Sequence, residues 1–221
     1  MNITNDIVTD YINSFYKAKN VQLDRFRRES EDKNVPIILR ETENFLNVLL
    51  EVRKPKKILE IGTAVGYSAA YFATVCEDSE IFTIEKQEKA FSVAEKNIEN
   101  LGLCEKIHLF QGDGEDCINA IKEQGVGDFD MVFIDAAKSH YKRFLDAATS
   151  ICATNALIVS DNVLMRARTA SDVYDPTGRH VTNIKKMREY LEYITSSPNF
   201  STSIISCGDG LALSVFRGNN E

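Results

Sequence analysis

The sequence predicts an α/β protein built on a doubly wound, Rossmann-like seven-stranded sheet with an antiparallel final strand, preceded by N-terminal helices. Three observations predict it. Short apolar runs alternate with helix-length amphipathic segments between residues 57 and 159. The first of these runs ends in a glycine turn. The chain then closes on two strand-like runs separated by Gly208-Asp209-Gly210, a spacing that suits a hairpin. Strand and helix in strict alternation mean parallel strands joined by right-handed crossovers.

The elements follow in order. Ile3, Ile7, Val8, Tyr11, Ile12 and Phe15 recur at helical spacing over 3–18. Residues 20–33 carry Arg25, Arg27 and Arg28 before Glu29, Glu31 and Asp32 and read as a second, exposed helix. Pro36 breaks the chain, and Phe45, Leu46, Leu49 and Leu50 mark a third helix over 38–52. Strands are expected at 57–62, 81–85, 107–110, 129–134 and 156–159, with helices at 66–76, 87–101, 115–123, 139–151 and 182–195. The closing strands are 201–206 and 211–216. With neither internal repeat nor low-complexity linker, 1–221 reads as one domain: a helical cap over 1–54 and a core over 55–221.

Composition narrows the class. A chain of 221 residues holds one substantial α/β core. No segment approaches the roughly 20 apolar residues of a membrane span, and the N-terminus lacks a secretory pattern. The five cysteines are scattered without metal-binding spacing, so reduced thiols in a cytoplasmic protein are expected, acting as small buried apolar residues. A net charge of −7 argues against broad nucleic-acid binding but leaves room for a local basic patch.

In a doubly wound sheet the ligand lies beyond the carboxyl ends of the strands. The first strand ends in Glu60-Ile61-Gly62-Thr63-Ala64-Val65-Gly66-Tyr67-Ser68. The G-x-x-x-G spacing is not that of a dinucleotide site, and Glu60 would repel a pyrophosphate but suits an ammonium. The second strand ends on Glu85, roughly 20 residues past the first glycine, the distance at which a carboxylate reaches a ribose diol. The third leads into Gly112-Asp113-Gly114, where Asp113 can accept from an adenine amine. Together these describe an adenosyl ligand with an amino-acid tail and no phosphates. S-adenosylmethionine fits better than NAD or ATP.

The fourth and fifth strands run into Asp135-Ala136-Ala137-Lys138 and Asp161-Asn162. Two aspartates and an amide oxygen are hard donors that suit Mg²⁺ or another divalent cation. A hydroxyl beside such an ion is acidified. Lys138, one short turn beyond Asp135, can then act as general base.

The segments EIGTAVGYS at 60–68, DMVFIDAAKSHY at 130–141, DNV at 161–163 and ENFLNVLL at 43–50 resemble the cation-dependent class I O-methyltransferases, which include the catechol and caffeoyl-CoA enzymes. The resemblance covers about 35–216. It implies metal ligation by Asp135, Asp161 and Asn162, a base role for Lys138, and methionine-tail contacts around Ile38, Gly62 and Ser68. It also implies a ribose contact at Glu85, adenine-side contacts at Asp113 and Gly114, and a homodimer. One departure is visible: Ala136 and Ala137 stand where catechol methyltransferases place bulkier residues against the adenine.

Within the group, VPIILRETENFL at 35–46 and the stretch 163–194 look closest to the bacterial tRNA 5-hydroxyuridine methyltransferases, which methylate the wobble base of the anticodon loop. That stretch carries Arg166, Arg168, Arg179, Lys185, Lys186 and Arg188, a local reversal of sign beside the expected metal, suited to phosphate. Arg25, Arg27 and Arg28 can extend it. Two other readings stand beside this one: a small-molecule phenol or catechol methyltransferase of the same mechanism, and a non-catalytic adenosyl-binding module. The last is disfavoured by the presence of all three ligands and Lys138.

Overall fold

The computed structural model describes residues 5–218. The predicted alternation is present. A seven-stranded sheet of order β3-β2-β1-β4-β5-β7-β6 is built from β1 (Lys57–Ile61), β2 (Glu80–Glu85), β3 (Ile107–Gln111), β4 (Phe129–Ile134), β5 (Cys152–Ser160), β6 (Phe200–Ile205) and β7 (Leu211–Phe216). The first five are parallel neighbours, and β7 runs antiparallel between β5 and the edge strand β6. The strand order reverses between β1 and β4, and the crevice at that switch point is where a doubly wound sheet takes its ligand.

Strand periodicity sorts the side chains into two cores. Along β1, Leu59 and Ile61 join one core with Val132 and Ile134 of β4. This core is closed by α6 (Gly114–Glu123), α7 (Tyr141–Thr149) and α8 (Val181–Ser196). Ile58 enters the other, with Met131 and Phe133, under α2 (Val21–Asp32), α3 (Arg40–Arg53), α4 (Tyr67–Val75) and α5 (Glu88–Asn100). Alternation therefore turns Glu60 toward the α4 side, where it is fully buried.

Three departures from the sequence reading have local causes. The first helix, α1, spans only Asp6–Asn13, and Ile3 lies outside the described residues. Asn5 caps it through Ile7 N (2.9 Å), and beyond Asn13 the backbone tightens into short-range turns. Its apolar side is open: Ile7, Tyr11 and Phe15 are exposed. Secondly, α2 is not an exposed helix, because Leu23 and Arg27 are buried. Thirdly, β5 begins four residues earlier than its apolar run: Cys152 packs at the edge of the core, and the exposed Thr154 and Asn155 interrupt the apolar pattern. Of the five cysteines, Cys76 and Cys117 are buried and Cys104 is exposed. Among the described residues, no helix is long and apolar enough to cross a membrane.

One glycine is required by close approach. Gly62 ends β1 at φ +105°, and a Cβ there would lie 2.0 Å from the Asp135 carbonyl oxygen. Asp135 N in turn donates to Ile61 O (3.0 Å), so this crossing of β1 and β4 shapes the crevice. Gly62→Ala should therefore cost about 3 kcal/mol, lowering the melting temperature by about 6–12 °C. Thermal unfolding checks this, and an unchanged midpoint would refute the constraint.

Candidate active site at the carboxyl ends of the strands

A cleft of about 350 Å³ opens above the switch point. Its walls come from the ends of β1, β2, β3 and β4 and from residues 36–38. Ile38, Gly62, Ser68, Glu85, Asp113, Gly114, Asp135 and Asn162 all line it, so the fold gathers most of the predicted residues into one crevice.

The nucleotide side is pre-arranged. Glu85 is buried, and its two carboxylate oxygens accept from Ala64 N (2.8 Å) and Gln87 N (2.7 Å). Each oxygen keeps a further lone pair, as a ribose diol requires. Asp113 caps α6 through Glu115 N (3.2 Å) and pairs with Lys86 (3.1 Å) and Arg143 (2.9 Å). Both its oxygens thus carry structural bonds before any adenine is considered. Ala136, Ala137, His140 and Phe144 all line the cleft, the His140 and Phe144 ring centroids 5.8 Å apart.

Glu60 lies beneath the cleft surface, under the β1 turn. One oxygen accepts from the Thr83 hydroxyl; the other, Oε1, is buried without a partner. Burial pushes its carboxyl up to about 7, opposed by the hydroxyls of Ser68 and Thr83. An orphaned buried acceptor here fits the ammonium of an amino-acid tail.

At the other end lies the carboxylate group. The β4–β5 register pairs Ile134 with Ser160, so Asp135 and Asp161 leave the sheet at the same level. Asp161 is 1% exposed; burial and the nearby Asp135 charge raise its carboxyl well above the usual range, while Lys138 opposes them. Its Oδ1 accepts from Asn162 N (2.6 Å), a residue in the left-handed region at φ +56°, which asparagine tolerates. Lys138 starts a single 3₁₀ turn, Lys138–His140. Its Nζ reaches Asp135 Oδ1 (2.9 Å), Asn162 Oδ1 (3.0 Å) and Tyr141 OH (2.7 Å). All three donors of an ammonium are used. Hard oxygens thus already converge on one positive group, and Asp135, Asp161 and Asn162 form a donor set that fits a divalent cation.

Part of the basic stretch after β5 is paired within the protein. Arg188 donates to Thr169 O (2.8 Å) and pairs with Asp172 (2.8 Å); Lys186 pairs with Glu189 (2.7 Å). Arg168 is half-buried. Arg166, Arg179 and Lys185 are exposed. The proposed extension through α2 is corrected: Arg27 is buried, while Arg25 and Arg28 pair with Glu29 and Asp24.

Several site residues lay outside the sequence reading. Tyr141 joins Lys138 to the Asp161 carbonyl (2.7 Å), and its three-residue spacing from Lys138 could have signalled it. Asp209, in the hairpin turn, accepts from Arg166 N and anchors the loop after Asn162. Burial raises its carboxyl, with Arg166 and Lys138 opposing. Only the antiparallel insertion of β7 beside β5 brings Asp209 here, so no local signal points to it.

The fold and this crevice define a class I methyltransferase architecture. The chain belongs to the O-methyltransferase family, whose sequence profile matches residues 13–216. It is 36% identical to a catechol O-methyltransferase from Niastella koreensis over 54% of this chain and 55% of that one, just over half of the relative's length. It is 27% identical to a caffeoyl-CoA O-methyltransferase from Populus kitakamiensis over 92% of this chain and 89% of the other. Among solved structures, a caffeoyl-CoA O-methyltransferase-like protein from Staphylococcus aureus superposes with a TM-score of 0.87 at 29% identity, covering 96% of this chain and 100% of that one. An O-methyltransferase from Bacillus cereus in complex with SAH superposes at 0.81 and 25% identity, covering 95% and 97%.

Glu60 gives a pH signature. Its folded value of about 7 lies above the ordinary 4.5, so the native state binds more protons between the two and loses stability as pH rises through that window. Glu60→Gln lacks this loss and should gain on the wild type by on the order of 3 kcal/mol from pH 4.5 to 7. Urea unfolding at steps across the window measures it; a pH-independent difference would contradict the burial.

Proposed function

We propose that this protein transfers the methyl group of S-adenosylmethionine to a hydroxyl that has a second oxygen beside it, with the help of a divalent cation. One observation carries the reading. Asp135 Oδ1 and Asn162 Oδ1 converge on a single positive group, 2.9 and 3.0 Å from Lys138 Nζ, at the rim of a cleft suited to an adenosyl ligand. The names of the catechol and caffeoyl-CoA relatives support a phenolic acceptor.

The chain's residues divide the work. Glu85 holds the ribose, Glu60 and Ser68 receive the amino-acid end around Gly62 and Ile38, and Asp113 and Gly114 border the adenine. A divalent cation, held by Asp135, Asp161 and Asn162, would supply positive charge that acidifies a neighbouring hydroxyl. Lys138 Nζ then takes the hydroxyl proton. The new O–CH₃ bond forms as the C–S bond breaks, and the sulfonium becomes a neutral thioether. Tyr141 steadies Lys138 through its hydroxyl (2.7 Å). Most of the rate comes from alignment of oxygen, methyl and sulfur.

A second acceptor, 5-hydroxyuridine at the tRNA wobble position, is favoured by one observation: Arg166, Arg179 and Lys185 are exposed in the stretch that follows Asn162. A phosphate backbone suits them. Both acceptors present an acidic hydroxyl beside an oxygen, so the same site serves either.

The acceptor is decided by incubating the protein with S-adenosylmethionine, Mg²⁺ and either catechol or tRNA containing 5-hydroxyuridine, followed by mass spectrometry. We expect a gain of one methyl group on catechol. Methoxyuridine without methylated catechol would favour tRNA, and neither product would overturn the methyltransferase reading. With the active acceptor, Asp135→Ala should lower kcat/KM by at least about a hundredfold, and excess chelator should do the same to the wild type. Full turnover in chelator would refute the cation.

A further inference from the structure

Behind the cleft lies a buried ion pair with no part in the chemistry above. Arg27 of α2 and Glu43 of α3 are bonded to each other and are each 2% exposed. Their remaining polar atoms are satisfied. Arg27 Nε donates to Tyr67 OH (3.1 Å), NH1 to Glu31 (3.2 Å) and NH2 to the Ile38 carbonyl (2.9 Å). Glu43 accepts from Tyr16 OH (2.6 Å) and Tyr67 OH (2.7 Å). The Arg27 guanidinium also lies over the Tyr67 ring, 4.7 Å from its centroid.

Removing two charges from water is expensive, and an apolar pair of similar volume often holds a fold equally well or better. Packing of α2, α3 and α4 therefore does not by itself account for the charges. The groups that they hold do. Ile38 and Tyr67 both line the cleft. Residues 36–38 form a wall one chain thick: they face the cleft on one side, and on the other they share a surface hollow with Arg27, Glu31 and Arg40. This strap belongs to no helix or strand, and the Ile38 carbonyl accepts from Arg27 NH2.

We propose that the Arg27–Glu43 pair positions the Ile38 strap and the Tyr67 ring as the wall that receives the amino-acid end of S-adenosylmethionine, and so sets the affinity for this cofactor. Neither residue touches the reacting atoms; both are positioning residues. The proposal rests on the cofactor reading above.

The test removes both charges together, so that neither is left buried alone. Arg27→Met with Glu43→Leu also leaves the Ile38 carbonyl and the Tyr16 and Tyr67 hydroxyls without these partners, so it should fold with a melting temperature lowered by several degrees. It should weaken SAH binding by calorimetry, and raise KM for S-adenosylmethionine, by at least about tenfold. At saturating cofactor, kcat should stay within about twofold. A purely structural role would instead lower kcat by reducing the active fraction, with KM unchanged, and that result would overturn the proposal. So would unchanged SAH affinity in a folded double variant. If the double variant does not fold, Arg27→Lys reads the same quantity: it keeps a charge beside Glu43 but loses the fork to Ile38, and cofactor KM should again rise with kcat retained. Failure of the wild type to bind SAH is a different outcome. It would overturn the cofactor reading and this inference with it.

Discussion

Two carboxylates at adjoining strand ends repel each other, and the rest of the site is arranged around that repulsion. Asp135 and Asp161 follow paired residues of β4 and β5, so the sheet register holds them together. Asp161 is almost without solvent exposure, which makes an uncompensated negative charge there costly. The Lys138 ammonium supplies the compensation, and Tyr141 links it to the Asp161 backbone. In the proposed reaction the oxygens gathered around Lys138 are the ones that a divalent cation would use.

The neighbouring backbone is shaped to match. Gly62 lets the chain turn after β1 directly against the Asp135 carbonyl. Beyond Asn162 the chain adopts left-handed conformations at Met165, Arg166 and Ala167 in succession. Non-glycine residues pay for such geometry, and the surroundings hold it: Asp209 binds Arg166 N, and Arg188 binds Thr169 O. Of the basic side chains in this stretch, Arg188 is engaged within the protein by Thr169 O and Asp172, while the Arg166 side chain is exposed.

Much of the fold and half of the site were legible from spacing. The apolar runs at Lys57–Ile61 and Phe129–Ile134 are buried on both faces, and such strands read as continuous hydrophobic stretches. Strand ends are also where a doubly wound sheet places its ligands, so Gly62, Glu85, Asp135 and Asp161 could be singled out individually. Helix boundaries were harder. The apolar repeat over 3–18 predicts one helix, yet its C-terminal portion unwinds toward Tyr16, whose hydroxyl is bound to Glu43 in α3. Local periodicity carries no information about a partner 27 residues away.

The sequence by itself determined the element order, the glycine turn and the identity of the groups at each strand end, because these depend on local periodicity and on where strands stop. Tertiary structure alone decided which charges are spent and which are available. Arg27 looks like a surface residue in a run of charged positions, but it is buried because α2 packs across α4 and Glu43 meets it there. Glu60 is a carboxylate near a strand end in the sequence, and only strand alternation shows that it is fully buried with one oxygen unpartnered. Lys138 follows Asp135 by one short turn in the sequence, and only the fold shows its Nζ bonded to Asp135, Asn162 and Tyr141. Charge in a sequence is a count. Its chemistry depends on burial and on partners distant along the chain, and only the folded chain provides these.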